Sequence, residues 1–370
     1  MKSLIAILVT SCLAASAVGQ QTESAVKLYF PGSAGDASRW ETVSAVSLGL
    51  DVDALDAAVD FAMDRKSSSV VVLVGGRLLV ERHQKVQSPT LRYQSMVKGK
   101  DADGHAIEDV ASVQKSVVSM LMGIAIENNL VKLDEPVHKH LGRGWSQASP
   151  KQEEQITLRH LVTMTSGLSE QLKFIAPAGT KWAYNTTAYS RSFDAIAAAA
   201  KMSHNELTAA WLTTSLGMTN SKWIERRGAA NSDVPANHFG FATTARDLAR
   251  FGLMVLAQGQ WHQQTIIGDQ QYIKAATSPS QELNPSYGYL WWLNGQKSPR
   301  KGLQKAATSL IPSAPKDLFA AQGALGRKCY VVPSKQIVIT RLGDDPEIKG
   351  QPKFNDEFWR LLRLAATARR

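Results

Sequence analysis

A serine hydroxyl is a weak nucleophile until a neighbouring group takes its proton, and Ser112-Val113-Gln114-Lys115 supplies such a neighbour. On a helix, residues i and i+3 share a face, so the Ser112 hydroxyl and the Lys115 amine would point the same way. A phenol follows further along, in Trp182-Ala183-Tyr184-Asn185-Thr186. Serine, amine and phenol together are a known way to run acyl transfer through a covalent intermediate. The sequence leaves open whether Lys115 or Tyr184 is the base, because the two would titrate as one coupled unit.

The pattern S-x-x-K carries little by itself, since it occurs five times, at Ser24, Ser95, Ser112, Ser298 and Ser313. Pro299 and Pro315 interrupt two of these, Ser24 follows the apolar leader, and Ser95 lies in a polar stretch. Only Ser112 leads into a long apolar run, including Val117, Val118, Leu121, Ile124 and Ile126, which belongs inside a core.

The elements that must position these groups can be read along the chain. Asp51 to Met63 has amphipathic helix spacing. Val70–Val74, Gly75-Gly76 and Leu78–Val80 predict a hairpin. From Leu133 to about Phe251 the pattern is mostly helix and loop, with a clear helix over Arg246–Ala257. Strands are expected at Tyr287–Leu293, Cys329–Val332 and Ile337–Leu342, the last pair joined by a turn at Pro333–Gln336. A helix over Asn355–Ala366 closes the chain. Strands at both ends of a helical middle predict an α/β domain over 20–132 and 255–370, with an all-α domain, 133–254, inserted in it. The cleft between them is the natural place for a site.

A chain of 370 residues can bury a large core, and its composition is that of an ordinary globular protein. Lysine and arginine exceed aspartate and glutamate by 42 − 32 = 10. These charges are scattered, apart from Arg360, Arg363, Arg369 and Arg370, and no nucleic-acid module accompanies them, so a solvated basic surface is expected. Lys2, the apolar stretch Leu4–Ala15 and the small residues up to Gly19 predict a secretory signal peptide over 1–19 and export to the periplasm or beyond. The apolar part is too short for a mature membrane anchor. Cys12 comes early for a lipoprotein box, so lipidation is the lesser alternative. Without the leader Cys329 is the sole cysteine, expected as an inert buried thiol in a strand, with no intramolecular disulfide. His138 and His140 lack further ligands at zinc spacing, and no phosphate loop or dinucleotide fingerprint occurs, so neither metal nor cofactor is expected.

Several stretches resemble, in order, the serine hydrolases related to class C β-lactamases, a family that includes penicillin-binding carboxypeptidases, carboxylesterases and 6-aminohexanoate-dimer hydrolases. Ala111–Ser116 is similar to the nucleophile motif. Leu161–Leu168 resembles the segment L-L-T-H-T-S-G-L, with Met164 in place of histidine. Pro177–Thr180 followed by Tyr184, Phe241–Gly252 and Tyr287–Trp292 resemble three further segments. The resemblance implies a β-lactamase/penicillin-binding-protein-like fold, an antiparallel sheet flanked by helices. It also implies an oxyanion hole made by the backbone N–H groups of Ser112 and Ala324, with Gly323 allowing close backbone approach. Tyr287 and Tyr289 either face substrate or fill a plain core strand, Gln322 is placed toward substrate, and Thr186 either bonds a substrate amide or caps a turn.

Two departures qualify the resemblance. The family's Tyr-x-Asn is here Tyr184-Asn185-Thr186, and its Lys-Thr-Gly is Ala321-Gln322-Gly323. In β-lactam-handling relatives that lysine helps hold the substrate carboxylate, so Ala321 argues against penicillin turnover and D-Ala-D-Ala cleavage. The expected function is an exported serine hydrolase acting on small esters or amides, closest to the 6-aminohexanoate-dimer hydrolase and esterase branch. A β-lactamase or D-Ala carboxypeptidase, and a catalytically silent envelope binding protein, are the alternatives.

Overall fold

The computed structural model describes residues 28–32, 40–226, 238–297 and 309–367. The expected leader with Cys12, the S-x-x-K copies at Ser24 and Ser298, and Arg369 and Arg370 lie outside the described residues. The principal strands are β1 (Ser67–Val74), β2 (Arg77–His83), β3 (Val97–Lys100), β4 (Ala106–Asp109), β5 (Lys222–Glu225), β6 (Phe239–Thr243), β7 (Trp292–Leu293), β8 (Phe319–Gln322), β9 (Lys328–Val332) and β10 (Ile337–Gly343). The longer helices are α1 (Val52–Asp64), α2 (Gln114–Glu127), α3 (Thr186–Ala200), α4 (Ala245–Leu256) and α5 (Phe354–Thr367).

Six strands from both ends of the chain form one antiparallel sheet in the order β2-β1-β10-β9-β8-β7. β1 is β-branched and buried along nearly its whole length because helices cover both faces of the sheet. Its side chains alternate. Val70 and Val72 pack with Val59 of α1 and Phe358 of α5 on one face, while Val71 and Leu73 join Phe251 of α4 and Val117 of α2 on the other. Each such fully buried side chain contributes about 1.5–3 kcal/mol of transfer free energy. The α4 contact is close enough to need glycine: a Cβ on Gly252 would stand 2.6 Å from Val338 Cγ1 and 2.7 Å from Cys329 Sγ. Cys329 is fully buried, and burial pushes its thiol pKa up, so it stays protonated.

Two expectations need correction. The span Leu133–Phe251 is not only helix and loop, since β5 and β6 pair with β3 and β4 in a second sheet ordered β3-β4-β6-β5. These strands are too short for periodicity to announce them, yet β4 leads directly to Ser112. The aromatic segment Tyr287–Leu293 is a strand only at Trp292–Leu293. Leu290 has φ 63°, its N–H donates to Val162 O, and its carbonyl accepts from Ser116 Oγ, so neighbouring elements take the groups a ladder would use. Among the described residues no helix is long and apolar enough to cross a membrane.

Candidate active site

Ser112 does not lie in the α-helix itself. It sits in a single 3-10 turn, Ala111–Val113, that runs into α2 at Gln114. Ala111 has φ 51°, a left-handed conformation costing a non-glycine residue roughly 1–3 kcal/mol, and its N–H donates to Asp109 Oδ1 at 2.9 Å. That turn leaves Ser112 half-buried at the surface of a helix that is otherwise inside the core.

Lys115, one turn on, is 2% exposed. Its Nζ donates to Ser112 Oγ at 3.0 Å and to Thr186 Oγ1 at 3.3 Å. It stands over two aromatic faces, 4.9 Å from the Tyr184 centroid and 4.3 Å from that of Tyr189. Burial disfavours the ammonium and, with help from the Arg226 charge and against that of Glu170, brings its pKa down to about 7. Arg226 is clamped to Asp109 by two hydrogen bonds of 2.8 and 3.0 Å and donates to Gln114 Oε1 at 3.0 Å. Gln114 Nε2 in turn donates to the Tyr189 hydroxyl at 2.5 Å.

Burial pushes the Tyr184 pKa up to about 12, the neighbouring Ser112 side chain working against this and Glu170 adding to it. Near neutral pH the neutral amine of Lys115 is therefore populated, whereas Tyr184 keeps its proton. On these environments Lys115 is the better proton acceptor of the two, and Tyr184 the better proton donor.

The altered second motif has a local cause. Asn185 is 3% exposed, its Nδ2 donates to Leu168 O and Ser169 O, and its Oδ1 caps α3 through Ala188 N at 2.8 Å. The asparagine thus binds a loop to the helix, and Thr186 faces Lys115 instead. Met164, where the family has histidine, sits at φ 61° with Sδ 3.3 Å from Asn185 N.

The remaining expected site residues divide. A Cβ on Gly323 would lie 2.3 Å from Val110 O and 3.3 Å from Val113 N, so the end of β8 presses against the turn that carries Ser112, with Ala324 next in line. Gly323→Ala forces those two backbones apart. It is expected to lower kcat by about 10²–10³-fold, the effect of losing one oxyanion donor, in steady-state assays on folded protein. Gln322 pairs across strands with Lys328, whose Nζ donates to Gln322 Oε1 at 2.8 Å. By strand alternation this pair is on the sheet face opposite Ala321, so Gln322 is not brought to Ser112. Tyr289 is also drawn elsewhere, accepting from Arg159 Nη1 at 2.8 Å. Tyr287 is fully buried and packs edge-on to Tyr184, with centroids 6.2 Å apart.

The half-buried aromatics beside Tyr184 are Trp292, stacked on it at 5.7 Å, and Trp182, tilted at 6.5 Å. Sequence reasoning missed Trp182 and Gln114, which fill positions within the quoted stretches that no catalytic role marks, and Glu170 and Arg226, which lie outside every motif. Among the described residues, three potential metal ligands come together at Asp101, Asp103 and His105. They form the turn between β3 and β4, where Asp101 Oδ1 accepts the Asp103 and His105 amides. A cavity of about 540 Å³ bordered by Gln271, Lys274, Asn294 and Lys316 holds none of the residues around Ser112.

Known proteins share this arrangement of elements. A Bacillus anthracis protein described as a 6-aminohexanoate-dimer hydrolase superposes with a TM-score of 0.64 at 15% identity, covering 91% of this chain and 90% of that one. A class C beta-lactamase gives 0.57 at 18% identity over 84% of this chain and 95% of its own. EstCE1, a hydrolase with promiscuous acyltransferase activity, gives 0.57 at 12% identity over 85% and 98%. At these identities the likeness is one of fold, and it establishes the β-lactamase/penicillin-binding-protein-like architecture. In sequence, an uncharacterized protein of Alkalihalophilus pseudofirmus is 23% identical over 300 residues, 75% of this chain and 84% of that protein. The family model described as beta-lactamase matches residues 55–354, most of the chain, so this protein belongs to the beta-lactamase family of hydrolytic enzymes.

Proposed function

We propose that the protein is an exported serine hydrolase that cleaves ester or amide bonds of small substrates through an acyl-enzyme on Ser112. The observation that carries this reading is the buried Lys115 amine 3.0 Å from Ser112 Oγ, held at a pKa of about 7. Neutral Lys115 takes the Ser112 proton as Oγ bonds to the substrate carbonyl carbon. The oxyanion forms beside the Ser112 and Ala324 amides. Tyr184 gives its proton to the departing alcohol or amine and regains one from Lys115. Water then repeats the sequence on the acyl-enzyme, releasing the acid. Export rests on the charged and apolar pattern of residues 1–19. Ala321, fully buried and apolar, supports esters and simple amides over β-lactams, for Lys328 bonds to Gln322 rather than replacing the missing cation.

The test combines labelling with turnover. A fluorophosphonate should modify the mature chain at Ser112, located by peptide mass spectrometry, and p-nitrophenyl acetate or butyrate should be turned over while a chromogenic cephalosporin is not. No label and no turnover would favour a silent binding protein. Cephalosporin turnover would favour the β-lactamase reading and remove the argument from Ala321.

A further inference from the structure

Glu170 is exposed on the loop that precedes Tyr184. Its carboxylate accepts from Thr186 N at 3.0 Å, Thr187 N at 3.2 Å and Thr187 Oγ1 at 3.1 Å. Thr186 is the same residue whose hydroxyl accepts from Lys115 Nζ. A full negative charge therefore stands one residue's width from the amine that faces Ser112, and its field reaches both Lys115 and Tyr184. The other charge reaching Lys115, Arg226, is paired with Asp109. Among the described residues, no cation pairs with Glu170 within salt-bridge distance.

The surroundings of this carboxylate have a consistent chemistry. Trp182 and Trp292 are half-buried beside Tyr184, and their ring faces attract cations. Ala321 offers an anionic substrate nothing. All this occurs on a chain whose formal net charge is +10, so the local sign is opposite to that of the whole. Capping α3 explains why Glu170 is fixed in place. That cap, on Thr186 N and Thr187 N beside the Asn185 cap on Ala188 N, also holds the charge next to the residue that meets Lys115.

We propose that Glu170, with the Trp182 and Trp292 rings, selects substrates that carry an ammonium group near the scissile carbonyl and rejects those carrying a carboxylate there. The inference rests on the hydrolase reading and adds to it the charge class of the substrate.

Two matched ester series test it. One places the charge on the acyl chain, as p-nitrophenyl esters of a trimethylammonio-, an unsubstituted and a carboxy-alkanoate of equal length. The other places it on the alcohol, as choline, neohexyl and glycolate esters of butyrate. In at least one series, kcat/KM for the cation should exceed that for the anion by about 10²-fold, and added salt should narrow the gap. Glu170→Gln should reduce the ratio to within about threefold, and Glu170→Lys should invert it. An inverted preference cannot arise from misfolding, and circular dichroism would establish that each variant folds. Equal rates for cation and anion in both series, or a ratio unmoved by both substitutions, would overturn the proposal. If the neutral esters are hydrolysed in those cases, the hydrolase reading stands and the charge selection alone is lost. If no neutral ester is turned over and Ser112 takes no label, the hydrolase reading is what has failed.

Discussion

Ser112→Ala, Lys115→Met and the double variant should each lower kcat/KM for p-nitrophenyl butyrate by about 10⁴-fold, to a common floor rather than additively. The nucleophile and its base act as a unit, so removing either already removes the chemistry, and the residue of rate comes from binding and the oxyanion donors. The pH profile distinguishes the two candidate bases. Only neutral Lys115 can accept the Ser112 proton, so kcat/KM should rise about tenfold per pH unit up to an apparent pKa of about 7 and then level. With Tyr184, at about 12, as the base, activity would keep rising through alkaline pH. Stability should also rise with pH, but over a higher window than activity. Unfolded lysine holds its proton to a pKa of about 10.4, while folded Lys115 releases it near 7. Between those values the unfolded chain binds more protons, so stability rises with pH across that window, and burying this lysine is unfavourable at and below pH 7. Lys115→Met should therefore raise the Tm at pH 7 while abolishing turnover. A lowered Tm with much of the activity retained would mean that Lys115 is a structural lysine.

Legibility in the sequence followed the length scale of each feature. The α2 helix, the hairpin β1–β2 and the pair β9–β10 were readable because long apolar or β-branched runs have a period of their own. The beta-lactamase family was readable because its chemistry needs particular residue types in order. What escaped depends on contacts between distant segments. β5 and β6 are four and five residues long and become strands only by pairing with each other and, through β6, with β4. Tyr289 and Gln322 carry types suited to binding, but Arg159 and Lys328 claim them. Glu170 has no sequence signal at all, since its importance comes from the fold of its loop against Thr186.

A second large effect is expected far from any motif, at Glu108. This residue is the penultimate one of β4, just before Asp109, and its side chain is fully buried with Oε2 2.8 Å from Arg327 Nη2. Ser68 Oγ at 2.5 Å and Tyr93 OH at 3.0 Å donate to Oε1, and Gly343 N donates to Oε2 at 3.2 Å. Arg327 Nη2 has no well-aligned hydrogen bond, so its contact with Glu108 is chiefly one of charge. Arg327 Nη1 also donates to Ala324 O at 3.2 Å, which joins the lead-in to Ser112 to the loop bearing the proposed second oxyanion donor. Glu108→Gln keeps the shape but leaves a buried guanidinium without its counter-charge, a change that costs about 3–5 kcal/mol. Urea unfolding should show that loss with an unchanged m-value. Glu108→Gln combined with Arg327→Met should recover most of it, because no unpaired charge remains. The pair's second role would show in kcat: the double variant, though stable again, should stay slower than wild type, since the Ala324 carbonyl has lost the shorter of its two bonds from Arg327 and keeps only the one from the backbone N–H. Full recovery of kcat along with stability would assign Glu108 and Arg327 to folding alone.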